Sequence, residues 1–191
     1  MNHIAIIIGS TRPGRKAPAI AQWVLQHAAR RADATFEIVD LADYALPLLN
    51  ESNTPSMHRY ELEHTKRWAE KIAGFDGFIF VTPEYNHAPP AALKNALDYL
   101  YAEWNNKVAG FVGYGSMGGV RAIEQLRQVM AELQIADVRT AVNFMLSEDF
   151  IDYTVFSPSE GHEEDLDQLL DQLIDWSGAL RSVRIKNDRH Y

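Results

Sequence analysis

Ile4-Ala5-Ile6-Ile7-Ile8-Gly9-Ser10-Thr11-Arg12-Pro13-Gly14-Arg15-Lys16-Ala17-Pro18 decides the fold. The apolar run 4–8 reads as a buried strand that stops at Gly9. Small, hydroxyl and cationic residues make a loop, and an amphipathic stretch begins at Pro18. Such a junction is an anion site. The first N–H groups of the helix have no intrahelical partner, and the positive end of its dipole points to the same spot. Arg12, Arg15 and Lys16 add full charges there, so a phosphate is the expected anion.

The charge distribution agrees. The chain has 18 Lys and Arg against 26 Asp and Glu, a net charge of −8. Residues 1–32 contain no acid and five cations (Arg12, Arg15, Lys16, Arg30 and Arg31), which leaves 13 basic and 26 acidic residues, net −13, beyond them. A local cationic loop on an acidic chain suits a discrete anionic ligand. Nucleic acid asks for an extended basic face and is not expected. At 191 residues the chain reads as a single domain, 1–191, within the usual ~100–200 residues per domain. No apolar stretch approaches the ~20 residues of a membrane span. Met1-Asn2-His3 runs directly into the strand, so no signal peptide is expected. Cysteine is absent, which excludes disulfides, thiolate nucleophiles and Cys-ligated metals. The expected location is the cytoplasm, and redox chemistry would require a cofactor.

Strand-like and helix-like patterns alternate along the chain. Helical spacing covers 18–32, 58–74, 90–104 and a stretch led by Gly118 and Gly119, and a last helix runs from His162 to about 185. Strands are expected at 35–39, 77–81, 108–112 and 138–145, and an irregular stretch spans roughly 40–57. Five strands alternating with five helices give an α/β, three-layer fold: a five-stranded parallel sheet covered by helices on both faces. Right-handed crossovers leave few topologies. The flavodoxin-like strand order 2-1-3-4-5 is expected, with a ligand beyond the carboxyl ends of the strands at the switch point.

The loops at those carboxyl ends are unusual, and the loops at the other end are plain. After the first strand comes Ser10-Thr11-Arg12-Pro13-Gly14-Arg15; after the third, Thr82-Pro83-Glu84-Tyr85-Asn86-His87-Ala88-Pro89-Pro90; after the fourth, Gly113-Tyr114-Gly115-Ser116-Met117-Gly118-Gly119. The first is built for phosphate. The second is a stiff, proline-lined wall. The third is glycine-rich, so a flat ring can approach its backbone without Cβ clash. A phosphate at one end and a planar heterocycle with polar edges at the other describe flavin mononucleotide, FMN.

Gly9-Ser10-Thr11-Arg12-Pro13-Gly14-Arg15, Pro83-Glu84-Tyr85-Asn86, Leu93-Lys94-Asn95-Ala96-Leu97-Asp98-Tyr99 and Gly115-Ser116-Met117-Gly118-Gly119 together resemble the NADPH-dependent FMN reductase family over about residues 1–145. The resemblance implies bound FMN, NADPH or NADH as electron donor, and flavin, quinone, azo compound or metal oxyanion as acceptor. It implies that Ser10, Arg12 and Arg15 hold the phosphate, with Thr11, Lys16, Ala17 and Pro18 nearby. It implies that Pro83, Glu84, Tyr85, Asn86 and His87 line the isoalloxazine, and that Gly115, Ser116, Gly118 and Gly119 serve its pyrimidine edge. It also implies a homodimer or homotetramer. The other readings are a flavodoxin-type electron carrier, or a flavin redox sensor without its own NAD(P)H turnover.

Hydride transfer to a flavin needs orientation more than an acid or base, which fits a chain without a catalytic triad. A phosphatase would need a nucleophilic Cys in the first loop. His58 and His64 are six apart and do not make a metal-binding helix face, so no metal is expected. Glu163, Glu164, Asp165 and Asp167 complement the dipole of the last helix, and Arg181, Arg184, Lys186 and Arg189 suit its end. Leu93, Leu97, Leu100, Tyr101, Trp104 and Trp68 serve either the core or a partner subunit. Residues past about 146 fall outside the resemblance and are a candidate for shaping the substrate entrance.

Overall fold

A computed structural model describes residues 1–187, the side chains of the last two excepted. Five strands, β1 (Asn2–Ile8), β2 (Ala34–Asp40), β3 (Gly77–Pro83), β4 (Val108–Gly115) and β5 (Ala136–Met145), form one parallel sheet in the order β2-β1-β3-β4-β5. That is the order the alternating pattern predicts. Helices α1 (Ala17–Ala28), α2 (Glu63–Ala73), α3 (Ala91–Asp98), α4 (Val120–Glu132) and α5 (His162–Asn187) cover it. β3 and β4 are buried along their whole length, as central strands of a doubly covered sheet must be.

Two cores lie on opposite faces. α1 and α5 cover one, where Ile20, Val24, Leu169 and Leu173 meet Ile4, Ile6, Ile79 and Val112. α2, α3 and α4 cover the other, where Trp68, Leu97, Trp104 and Leu126 meet Ile7, Phe78, Phe80 and Phe111. Trp68 and Trp104 are wholly buried, and their indole N–H groups donate to Ala96 O and Leu97 O. These rings therefore belong to the core of one subunit, and the dimer argument drawn from them falls away. Glu163 and Asp167 do more than complement a dipole: they pair with Arg30 and His27 and tie α5 to α1. Arg184 is pinned to Asp76 and to Asn106 O, while Arg189 lies outside the described residues.

Three helices are shorter than their sequence pattern. α1 ends at Ala28 and not 32, where the Arg30 and Arg31 N–H groups close turns on His27 O and Ala28 O. α2 begins at Glu63 and not 58, because His58 is left-handed (φ 51°) and Glu51 accepts the N–H groups of Glu61 and Leu62, capping the helix from eleven residues upstream. α3 ends at Asp98, and 99–104 turns inward to bury Tyr99 and Trp104. The irregular stretch after β2 contains two short 3-10 turns, Leu41–Asp43 and Pro55–Met57.

The sequence pattern did not reveal the antiparallel hairpin β6 (Phe150–Ile151) and β7 (Val155–Phe156). Phe156 packs edge-on against Phe144 and Trp23, which places the hairpin on the α1 side. Its foot is Asp149, whose buried carboxylate accepts from Met145 N, from Ser159 N and Oγ, and pairs with His162. Burial pushes this carboxyl up, but the Ser159, Met145 and His162 bonds outweigh burial and hold it below the ordinary carboxylate range. A folded-state pKa below the unfolded one contributes stability that is present above about pH 4 and is lost as the pH falls through the folded value. Asp149→Asn is expected to cost roughly 1.5–3 kcal/mol at pH 7, the range for hydrogen bonds to a charged group, and less at pH 3. Urea denaturation at the two pH values checks this.

Candidate functional site

Parallel pairing of β1 with β3 and of β3 with β4 puts three strand ends side by side. The loops that leave them (9–16, 84–90 and 116–119) therefore form one rim. Cross-links hold the rim together. Gly9 N–H donates to Val81 O at 2.9 Å, and the Ser10 and Tyr85 hydroxyls hydrogen-bond at 2.8 Å. Glu84 N–H donates to Tyr114 O at 3.2 Å, and the Glu84 carboxylate pairs with Arg121 at the start of α4.

The first loop gathers cations and unpartnered backbone N–H groups at the start of α1. Ser10 is fully buried at its floor, and Thr11 and Arg12 are exposed at its lip. α1 starts at Ala17 with Pro18 in its first turn, no side-chain cap and no acid in that turn. The N–H groups of Thr11, Gly14 and Lys16 have no hydrogen-bond partner among the described residues. Arg15 stands differently from its neighbours. Its guanidinium is committed to Asp40 at the end of β2 and to Ser10 O at 2.7 Å, so its side chain shapes the loop. Arg12 and Lys16 have no carboxylate partner among the described residues, and Lys16 lies over the Phe150 ring.

The second loop is a rigid wall. Tyr85 and Ala88 exchange backbone hydrogen bonds around Asn86 (φ 51°) and His87 (φ 68°), both left-handed, as in a type I′ turn. Holding two non-glycine residues there costs energy that the surroundings must supply. Gln125 of α4 helps by donating to His87 O at 2.6 Å. Pro83 is buried, and Tyr85, Asn86 and His87 are exposed along the rim.

In the third loop the glycines serve a different purpose from the expected open shelf. Gly118 and Gly119 are buried against their own sheet. A Cβ on Gly119 (φ 76°) would lie 2.7 Å from Tyr114 N, and one on Gly113 would lie 2.5 Å from Gly118 O. The glycines thus let the turn fold back on β4. Asn143 of β5 fixes it by donating to Gly118 O at 2.8 Å. Ser116 and Met117 are exposed, and the N–H groups of Ser116, Met117 and Gly119 have no partner among the described residues.

Four contributors escaped the sequence reading, Asp40, Arg121, Gln125 and Asn143, and Tyr114 entered it only as a member of the third loop. Tyr114 is buried, with its hydroxyl near Ser10 and the Ala17 N–H, and burial pushes its pKa well above the ordinary tyrosine value, so it stays protonated. Burial likewise pushes the Glu84 carboxyl up, but Arg121 outweighs it and holds Glu84 below the ordinary range. A groove of about 340 Å³ lies beside Thr11, lined also by Leu41, Ala42, Ala45, Leu46, Ala92 and Ala96. A larger one, about 670 Å³, lies away from these loops, between α4, β5 and α5 at Trp176. Among the described residues no helix is long and apolar enough to cross a membrane, and no three His, Asp or Glu side chains are grouped to hold a metal ion.

Residues 2–149 match the family model of NADPH-dependent FMN reductases. An NAD(P)H-dependent FMN reductase of Schizosaccharomyces pombe is 42% identical over 168 residues, covering 87% of this chain and 84% of that protein. A quinone reductase of Escherichia coli K12 is 28% identical and covers 95% and 97%. Among solved structures, a flavoenzyme NAD(P)H:(acceptor) oxidoreductase from Paracoccus denitrificans superposes with a TM-score of 0.72 at 21% identity, covering 94% and 98%; it shares the fold.

Gly119→Ala is expected to displace the third loop and to cost more than the ~1 kcal/mol of an ordinary left-handed alanine, because backbone stands where the methyl would go. Thermal unfolding gives the loss in stability.

Proposed function

From the chain's membership of the NADPH-dependent FMN reductase family, to which it belongs over residues 2–149, we propose that it oxidises NAD(P)H and passes the reducing equivalents through FMN to a small acceptor, a quinone foremost. The observation that carries this reading is the cross-linked rim. A cation-bearing helix start, a stiff wall and a turn with unpartnered N–H groups meet there, locked by Ser10–Tyr85 and Glu84–Arg121.

The residues present fit FMN. Its phosphate would be held by the Arg12 and Lys16 side chains and the backbone N–H groups of Thr11, Gly14 and Lys16, over the buried Ser10 hydroxyl and at the helix start formed by Ala17 and Pro18. Arg15 contributes by holding the loop in shape from Asp40. Pro83, Glu84, Tyr85, Asn86 and His87 form the wall beside the ring. Gly115, Ser116, Gly118 and Gly119 build the turn whose free N–H groups meet the polar edge and favour negative charge there. FMN supplies the ring that takes a hydride from NAD(P)H and gives reducing equivalents to the acceptor. The chain's own part is to bind, orient and screen that ring, and no side chain has to move a proton. The quinone preference is supported by the E. coli relative's name; azo compounds and metal oxyanions are the further acceptors to assay.

A homodimer or homotetramer is part of the proposal. Its support is the arm after β2, where Asn95 and Tyr99 grip Pro47 O and Leu49 N–H so that Leu48, 81% exposed, stands out as a fixed apolar knob. A cytoplasmic location fits the donor, because NAD(P)H is supplied inside cells. Light scattering on the purified protein tests assembly, and a clean monomer would remove that part.

The spectrum of the purified protein tests the core reading. Flavin absorbance that bleaches anaerobically with NADPH or NADH is expected; bleaching also rejects a carrier that depends on a separate reductase. A colourless protein that takes up no FMN would overturn the proposal. Arg12→Ala is expected to weaken FMN binding roughly 10- to 100-fold, the loss of one charge-assisted phosphate contact. Flavin fluorescence quenching measures it.

A further inference from the structure

We propose that Glu84 and Arg121 form a positioning pair for the flavin: they set the spacing between the wall and the glycine turn, and they cancel a carboxylate that would otherwise stand bare beside the ring. The inference rests on the FMN reading above.

Glu84 is the first residue beyond β3, and its N–H bond to Tyr114 O holds its backbone to the end of β4. Its side chain, 7% exposed, crosses to the next loop. There it accepts from Arg121 N at 3.0 Å and from Arg121 Nε at 2.6 Å, and a second guanidinium nitrogen also pairs with it. Arg121 lies two residues past Gly119, in the first turn of α4. The bonds therefore span from the wall to the turn. The two segments also touch at this point, since a Cβ on Gly115 would lie 3.6 Å from Glu84 Cβ. Gln125 of the same helix grips the far end of the wall at His87 O, and Asn143 grips the turn from β5. α4 thus fastens the wall at two points, while the Ser10–Tyr85 bond ties it to the first loop. Only the one at Glu84 involves charge.

A solvent-exposed pair would contribute little. Here the acid is buried, so removing its cation leaves an uncompensated charge in place. Oxidised FMN and reduced FMN respond to that charge differently, because the reduced ring carries more electron density. A bare Glu84 repels the reduced form more; a bare Arg121 attracts it more. The two single variants should therefore move the reduction potential in opposite directions, which a purely structural strut would not do.

The test uses FMN-loaded protein and measures two quantities: the Kd for FMN by fluorescence quenching, and the reduction potential by dye equilibration. Arg121→Met is expected to weaken FMN binding at least tenfold. It is also expected to lower the preference for reduced over oxidised FMN about tenfold, which is about 30 mV in a two-electron couple. Glu84→Gln keeps an acceptor for Arg121 but leaves the cation unbalanced, and the potential should rise. The double variant Glu84→Gln/Arg121→Met should return the potential to near wild type while binding stays weak. Should Arg121→Met fail to fold, Glu84→Gln alone carries the test, and an unchanged or lowered potential overturns the inference. Equal potentials in both single variants, or shifts of the same sign, also overturn it. Wild-type protein that binds no FMN would instead overturn the reading of the site on which the inference rests.

Discussion

Parallel pairing of β1, β3 and β4 brings three loops to one edge, because three adjacent strands that run the same way must end together. Every other feature of the site depends on this. Ser10 lies 75 residues before Tyr85, yet their hydroxyls meet. The central strands reach this arrangement by being buried on both faces, which only their near-continuous apolar composition permits. The chemistry is then left to the loops, where polar backbone can face water or a ligand.

Charge is sorted at that edge. Arg15 is matched by Asp40 and Arg121 by Glu84, so two of the four cations are committed to holding the loops in shape. Arg12 and Lys16 have no carboxylate partner among the described residues, and they stand in the loop whose Thr11, Gly14 and Lys16 N–H groups are unpartnered, just before α1. The acidic remainder of the chain makes this spot a local exception, which favours a compact anion over a polyanion.

Much of this was legible in order. The apolar run 4–8 followed by Gly9 and cations gave the first strand, its loop and the helix start, because the burial period and the helix-start chemistry are local. The helix limits were less legible. Residues 58–62 and 99–104 keep helical spacing, but a capping carboxylate from Glu51 and the inward turn of Tyr99 and Trp104 override it. Trp68 and Trp104 show the same difficulty at the level of packing. A buried core ring and an interface ring have one sequence signature, and only the neighbouring Phe78 and Phe80 decide between them.

The sequence by itself determined the alternation of elements, the strand order and the three loops at one edge, because apolar periodicity, turn residues and crossover handedness are properties of short segments. Only the tertiary structure decided which cation is spent on which carboxylate, why Gly113, Gly118 and Gly119 are glycines, and that Asp40, Arg121 and Asn143 belong to the site. Those facts are contacts between residues far apart in the chain, and side-chain pairing and steric exclusion exist only once the strands have been brought together.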